Sequence, residues 1–469
     1  MKKHGKTKTK SEASKPLHEP EPDAAGIDVG ANEIWVAVAP DRTEEPVRRF
    51  GAFTRELKAI VQWLRNCGIV TVAMESTGVY WIPLYQLLAD AGLKVCLVNA
   101  RHVKNVPGRK SDVRDCQWLQ YLHSVGLLRA SYRPEQAICA ARSIYRSRQN
   151  LLTQAAQHVQ HMQASLDQMN IKLHHVIDDL TGRTGLAIIE AILDGERDPQ
   201  QLAKHRDHRI KASEQTILKA LEGDWRSEHL FVLRVAWENW KQAQQQIQKC
   251  DHQLLEYTRQ LEASTTLTRP IKIMRLSTEV TDPHLLARPS KPRKKPSKNE
   301  PPGPWREELS RFFGVDLTAI PSISVLTGIT LMTELGNDLG AFKTAHHFSS
   351  WLCLCPDNET SASKVLRRAT RRSQNRVRQA LRMAASSLHH DKSYLGDKYR
   401  RLRAKLGAPK AITAMAHQLA RIIWHLIAHR VPFDLTIFAA YEKVNQTRRL
   451  KRLSSAARQM GYQLTPIAT

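Results

Sequence analysis

A β-branched apolar run, Ile69 to Val72, leads straight into Met74-Glu75-Ser76-Thr77-Gly78. Such a run, closed by a glycine and followed by residues at helical spacing, reads as a buried strand turning into a helix. The strand delivers a carboxylate, Glu75, to its C-terminal end, where α/β sheets keep their chemistry. Asp28, in Gly26-Ile27-Asp28-Val29-Gly30, stands on the first apolar strand. Asp112 and Asp115, in Lys110-Ser111-Asp112-Val113-Arg114-Asp115, are three apart at the start of a helix. That spacing puts both on one helical face. Four carboxylates from three separated elements can thus converge on one site.

The surrounding pattern supplies the frame. Strands are expected at Gly26 to Val29, Ile34 to Val38 and Val47 to Phe53. Their short connections imply an antiparallel meander. Helical spacing follows in Leu57, Ile60, Val61 and Leu64. After the strand that ends in Met74, a helix carries Tyr80, Leu84, Leu87 and Leu88 on one face and stops at Gly92. A fifth strand spans Lys94 to Val98, and a basic loop, Arg101 to Lys110, precedes the helix beginning near Ser111. The order βββαβαβα, with acids on the first strand, after the fourth strand and on the last helix, resembles the ribonuclease H-like, or RuvC-like, α/β fold.

Clustered carboxylates suit phosphoryl transfer. Divalent metals bridge attacking and leaving oxygens, and Mg²⁺ prefers carboxylate oxygens and water. Without a cation such acids repel one another. The alternative is local: Asp28 and Glu75 would cap turns, and Asp112 would be a helix-head acid favoured by the macrodipole.

Charge points the same way. The 469 residues carry 71 Lys and Arg against 45 Asp and Glu, a net +26, which favours an acidic polymer partner, most often nucleic acid. No apolar run approaches the ~18 residues of a membrane span, and Met1 to Lys10 lack a signal-peptide core. The seven cysteines contain no Cys-x-x-Cys pair and fit a reduced cytoplasmic protein better than a disulfide framework or a zinc site; the expected location is the cytoplasm of a bacterial-type cell, in association with the nucleoid.

Gly-Ile-Asp-Val-Gly, Ala-Met-Glu-Ser-Thr-Gly-Val-Tyr-Trp, Val-Asn-Ala-Arg-His-Val-Lys and Lys-Ser-Asp-Val-Arg-Asp together resemble the N-terminal domain of the insertion-sequence 110 family of transposases, over about Gly26 to Pro134. The resemblance implies an Asp-Glu-Asp-Asp recombinase domain in which Asp28, Glu75, Asp112 and Asp115 hold Mg²⁺ or Mn²⁺. Ser111 replaces a common Thr, and Cys116 replaces a common Ala. The family's C-terminal domain carries Gly-Leu-x-Pro, a short gap and Ser-Gly-Gly-Lys. Here the stretch is Cys353-Leu354-Cys355-Pro356, then Ser361-Ala362-Ser363-Lys364. By register Ser361 takes the place of the nucleophilic serine. Ser363 is the alternative, and an ordinary loop serine the bland reading. A serine hydroxyl needs its proton removed or its leaving group activated.

The remaining segments fill in the organisation. Residues 135–175 are helical in pattern, and Arg142, Arg146 and Arg148 face either nucleic acid or solvent. From Leu230 to Leu261 a heptad seam runs through Leu233, Trp237, Trp240, Gln244, Ile247, Asp251, Leu254 and Thr258. It predicts a coiled coil with polar a positions, or one long helix packed on its own domain. Pro289 to Pro304 holds six prolines and a Lys/Arg cluster, an extended basic linker. Ala319 to Leu335 resembles a helix-hairpin-helix element in which Ser322 and Ser324 stand where glycine is expected, and serine resists positive φ. Lys364, Arg367, Arg368, Arg371, Arg372 and Arg376 form the densest basic run; with Arg109 and Lys110 they are the expected phosphate contacts. His417, His425 and His429 lack a nearby carboxylate and read as structural.

The expected organisation is a disordered basic tail at 1–22, the RuvC-like catalytic domain at 23–178, a helical coiled-coil segment at 179–285, a linker at 286–304, a mainly α transposase domain at 305–445 and a basic tail at 446–469. The function the resemblance implies is that of a DNA transposase, with a homodimer or homotetramer acting on donor and target DNA under the guidance of a structured noncoding RNA. A site-specific invertase, a junction nuclease using water in place of serine, and a non-catalytic nucleic-acid-binding protein are the alternatives.

Overall fold

A computed structural model of the chain describes residues 20–76, 78–99, 112–261, 297, 299–361, 364–434, 439–463 and 465; within these, the side chains of 112–114, 359–361, 364, 365, 367, 368, 439–446, 448 and 449 fall outside the description. The chain divides into two compact units between Arg133 and Pro134.

The first unit contains β1 (Ala24–Val29), β2 (Glu33–Ala37), β3 (Val47–Gly51), α1 (Thr54–Asn66), β4 (Thr71–Glu75), α2 (Trp81–Asp90), β5 (Lys94–Val98) and α3 (Asp112–Ser124). The expected meander forms: β1 pairs antiparallel with β2, and β2 with β3. β4 then joins the other edge of β1 in parallel, and β5 joins β4, giving the order β3-β2-β1-β4-β5. This mixed sheet with its helices is consistent with a ribonuclease H-like fold.

The sheet's two faces have different covers, because successive strand residues alternate in direction. Ile27, Met74, Ile34 and Val36 join Leu57, Ile60, Leu64, Leu84 and Leu88 in one core under α1 and α2. On the other face Ala73 and Val98 meet Leu119 and Leu122 of α3. Here Gly26 has a steric role. A Cβ on it would lie 2.2 Å from the Cys116 carbonyl oxygen and 2.3 Å from the Gln120 nitrogen, so the helix backbone rests directly on the strand.

The second unit is mostly helical: α4 (Gln136–Gln168), α5 (Leu173–Val176), α6 (Arg183–Leu193), α7 (Pro199–Ala203), α8 (Glu214–Leu221), α9 (Ser227–Gln260), α10 (Trp305–Phe313), α11 (Val325–Leu335), α12 (Ala345–Trp351), β6 (Pro356–Ser361), β7 (Lys364–Thr370), α13 (Arg376–Ser387), α14 (Tyr394–Leu406), α15 (Ala408–His429) and α16 (Ala439–Gln459). The heptad seam of α9 is filled within the chain itself. Ala155 on α4 meets Ala243 and Ile247 on α9, Met162 and Leu166 share a core with Leu233 and Trp237, and Arg148 pairs with Asp251. Rising numbers on one helix meet falling numbers on the other, so the two long helices run antiparallel. The polar seam position Asp251 is explained by Arg148: both are buried, and Arg148 also donates to the Asn299 carbonyl oxygen at 2.9 Å.

Local conformation adds detail to three of these segments. Ser322 does adopt positive φ, +73°, and Ser324 caps α11 by accepting from the Thr327 amide at 3.2 Å. Cys353, standing where the related motif has glycine, also has positive φ, +53°. The basic segment after residue 446 is helical through Gln459. The coiled-coil reach expected across 262–285, and nearly all of the Pro-rich linker, lie outside the described residues. In the histidine series, desolvation lowers the pKa of His417, which is half-buried, and of His425, which is exposed beside His429.

Candidate active site

The carboxylates gather through sheet register. Ile27 of β1 pairs with Met74 of β4, so the next residues, Asp28 and Glu75, occupy neighbouring positions at the carboxyl ends of parallel strands. Adjacent strands lie about 4.8 Å apart. Asp28 is two residues beyond Gly26 and Glu75 two beyond Ala73, so both belong to the face covered by α3. Both are half-buried.

α3 crosses that face head-first toward them. Its far end is tied down where the Glu21 amide donates to the Ser124 carbonyl oxygen at 3.1 Å and where Thr71 Oγ1 and His123 Nε2 lie 2.8 Å apart. With Cys116 and Gln120 over Gly26, the first turn of α3 reaches the level of Asp28. Asp115, half-buried, sits in that turn, and Asp112 opens the helix three residues earlier.

The thiol of Cys116 reports the local field. It is fully buried, and burial pushes its pKa up to about 12, with the Asp28 and Asp115 carboxylates adding to the rise. Both acids therefore act on the same buried atom from two different elements. A thiol held neutral does not compete as a soft ligand, and the donor set left at this edge consists of hard carboxylate oxygens, which suits Mg²⁺ or Mn²⁺. Among the described residues no three His, Cys, Asp or Glu side chains are gathered tightly enough to form a metal cage by themselves. The Asp112 side chain lies outside that description, as do Arg109 and Lys110.

In the second unit, Ser361 ends β6 and pairs with Lys364 at the start of β7, so it stands at the tip of a two-stranded hairpin. Pro356-Asp357-Asn358-Glu359 has little strand character by itself. The pairing emerges only against Arg367, Arg368 and Thr370 opposite. Ser363 and the side chains of Ser361, Lys364, Arg367 and Arg368 lie outside the described residues.

The arginine-rich elements divide into two groups. Arg142 donates to the Thr333 and Glu334 carbonyl oxygens, and Arg146 grips the Glu334 carboxylate with bonds of 3.0 and 2.9 Å. With the buried Arg148, these arginines lock α4 to its neighbours; nucleic-acid contact is not needed to explain them. In the C-terminal run Arg371 donates to the Ser350 carbonyl and hydroxyl oxygens at 2.9 Å, Arg378 to the Arg371 carbonyl oxygen at 2.9 Å and Arg382 to Thr413 Oγ1 at 2.6 Å. Arg376 lies 4.0 Å from Glu334 and is exposed, as is Arg372. Sequence spacing could not separate structural from exposed guanidinium groups, because most of the partners are far along the chain, 21 residues for Arg371 and 188 for Arg146.

A mixed sheet with carboxylates at its carboxyl edge and an acidic helix head beside them is the frame of a DEDD transposase domain, and the family model of that transposase domain matches residues 25–171. A second model, described as transposase of the IS116/IS110/IS902 family, matches residues 316–400. The chain belongs to the IS110 family of transposases. No curated protein matches it in sequence. The domain match runs past the division at Arg133 into α4, as the expected 23–178 boundary does. Among the described residues, no helix is long and apolar enough to cross a membrane.

Proposed function

We propose that this transposase cuts and rejoins DNA through a metal-binding acidic cluster, Asp28, Glu75, Asp112 and Asp115, together with Ser361 as nucleophile. The observation that carries this reading is the register that sets Asp28 beside Glu75 on the face to which α3 brings Asp115. Bound Mg²⁺ or Mn²⁺ would polarise the phosphoryl oxygens and ease loss of the leaving oxygen. The chain's own residues do the rest. The carboxylates would hold that ion at the sheet edge, and one of their oxygens would take the proton that the serine hydroxyl gives up. The Ser361 Oγ attacks phosphorus as its proton leaves; a phosphoserine ester forms, one P–O bond to a deoxyribose oxygen breaks, and the departing oxygen takes a proton. Religation reverses these steps with a different strand end. Arg372, Arg376, Lys364, Arg367, Arg368 and Arg371, with Arg109 and Lys110, supply phosphate contacts. The net +26 charge accommodates donor DNA, target DNA and a structured guide RNA, and a homodimer or homotetramer brings two sets of active parts to a junction.

The test is covalent trapping. The protein is incubated with Mg²⁺, the element's noncoding RNA and labelled end-junction DNA, then quenched in denaturant. An adduct present in wild type and Ser363→Ala and absent in Ser361→Ala is expected. Cleavage with no adduct in any variant would move the reaction to water as nucleophile, the junction-nuclease alternative. Binding without any cleavage, unchanged when Glu75 is replaced by Ala, would leave only a nucleic-acid-binding protein.

A further inference from the structure

The carboxyl edge of the sheet carries one feature that metal binding does not use. Val79 and Tyr80, between Glu75 and α2, are 65% and 52% exposed. Their neighbours are engaged. Trp81 Nε1 donates to the Gly78 carbonyl oxygen at 3.1 Å, and Arg133 lies over the Trp81 and Tyr85 rings at 5.1 and 3.8 Å. Gly78 has φ of +60°, and a Cβ there would touch the Tyr80 ring at 3.4 Å, so the turn seats the ring while leaving it open to solvent. Across the sheet, β3 runs parallel to β1 through two antiparallel pairings, which places Phe53, 81% exposed, at the same end. Val79 and Tyr80, adjacent in the chain and both exposed, are the kind of apolar pair from which an interaction surface is built. The first turn of α2 contains no acidic residue, so nothing on it repels a phosphate.

We propose that Val79 and Tyr80 form a shelf on which an unpaired DNA base stacks, holding the nucleotide beside the phosphate that the carboxylates engage. The proposal rests on the reading of that edge as the cleavage site. Its occupant is a single DNA strand, because an unpaired base offers a π-face close to its own phosphate, and the exposed ring stands in the turn that leads from Glu75 at the strand end into α2. Tyr80 is a positioning residue: its ring sets where the strand lies, and the carboxylates act on the phosphate.

The experiment uses the full chain and a single-stranded DNA 30-mer carrying 5-iododeoxyuridine, with Ca²⁺ present so that binding is seen without turnover. Irradiation followed by peptide mapping is expected to place the crosslink on the peptide containing Tyr80. Loss of one base–aromatic stack weakens binding by roughly fivefold to 150-fold, so Tyr80→Ala is expected to raise the dissociation constant within that range and Tyr80→Phe to leave it near wild type. Crosslinks confined to other peptides, or Tyr80→Ala binding within twofold of wild type, overturn the shelf. So does crosslinking of Tyr80 by an iodouridine RNA and not by the DNA. Glu75→Ala separates the two ideas: a Tyr80 crosslink with cleavage surviving in Glu75→Ala keeps the shelf and removes the metal-carboxylate reading, and cleavage lost in Glu75→Ala without a Tyr80 crosslink does the reverse.

Discussion

Replacing Gly26 by Ala tests whether α3 is what brings Asp115 to Asp28. The added methyl would lie 2.2 Å from the Cys116 carbonyl oxygen, more than 1 Å inside the 3.4 Å at which ordinary contact begins. Both atoms in the way are helix backbone, which cannot rotate aside. The helix must therefore lift off the strand by about the missing distance, and Asp115 lifts with it. Overpacking of this kind costs about 1–3 kcal/mol. A displacement of about 1 Å in a reacting constellation can cost about 10²-fold in rate. Metal-dependent cleavage is expected to fall by about that factor, with DNA binding by the arginines of the second unit nearly unchanged. Ile27→Val, next in the strand and facing the opposite core, is the control. It should cost about 0.5–1.5 kcal/mol by denaturant unfolding and leave cleavage near wild type. Gly26→Ala protein with normal stability and cleavage within threefold of wild type would refute the seating of α3 on β1 and the acid geometry built on it.

Breaking the buried Arg148–Asp251 pair by Asp251→Leu is expected to destabilise the second unit by about 3–5 kcal/mol, and Arg148→Met with Asp251→Leu to recover most of that loss; paired urea titrations followed by circular dichroism decide it. Ser322→Gly and Cys353→Gly relieve non-glycine residues at positive φ, and each is expected to stabilise by roughly 1 kcal/mol, read as a raised unfolding midpoint. The Cys116 thiol keeps its proton to about 12 in the folded chain, whereas the unfolded chain releases it near about 8.5. Its contribution to stability is therefore intact below the lower value and falls as pH rises toward the higher one. At pH 9, alkylation of Cys116 in the native protein should be far slower than in urea, and equal rates would contradict its burial.

Much of the first unit was legible in the sequence. Alternation and apolar runs in Gly26–Val38 and Ile69–Met74 report burial residue by residue, and short connections leave only a meander. Asp28 and Glu75 were legible as strand-end acids for the same reason. The three-apart acids of α3 needed only helical geometry. What no local pattern contains is where that helix lies. Its seat on β1 depends on the absence of a side chain at Gly26, and the neighbourhood of Asp28 and Asp115 follows from the two elements crossing there. The seam of α9 shows the same limit. Its period predicts a partner helix but not which one, and folding filled it with α4, where Arg148 meets Asp251. The arginines of α4 and of the C-terminal run look alike in sequence, yet some close on distant acids and carbonyl oxygens and others stay exposed. The hairpin bearing Ser361 forms from weak strand formers because pairing across the turn, not propensity, stabilises it. Local periodicity thus determined the elements and the kinds of residue at their ends. Tertiary packing decided which ends meet, because contact between segments far apart in sequence is set by shape and charge across the interface, quantities that neither segment carries alone.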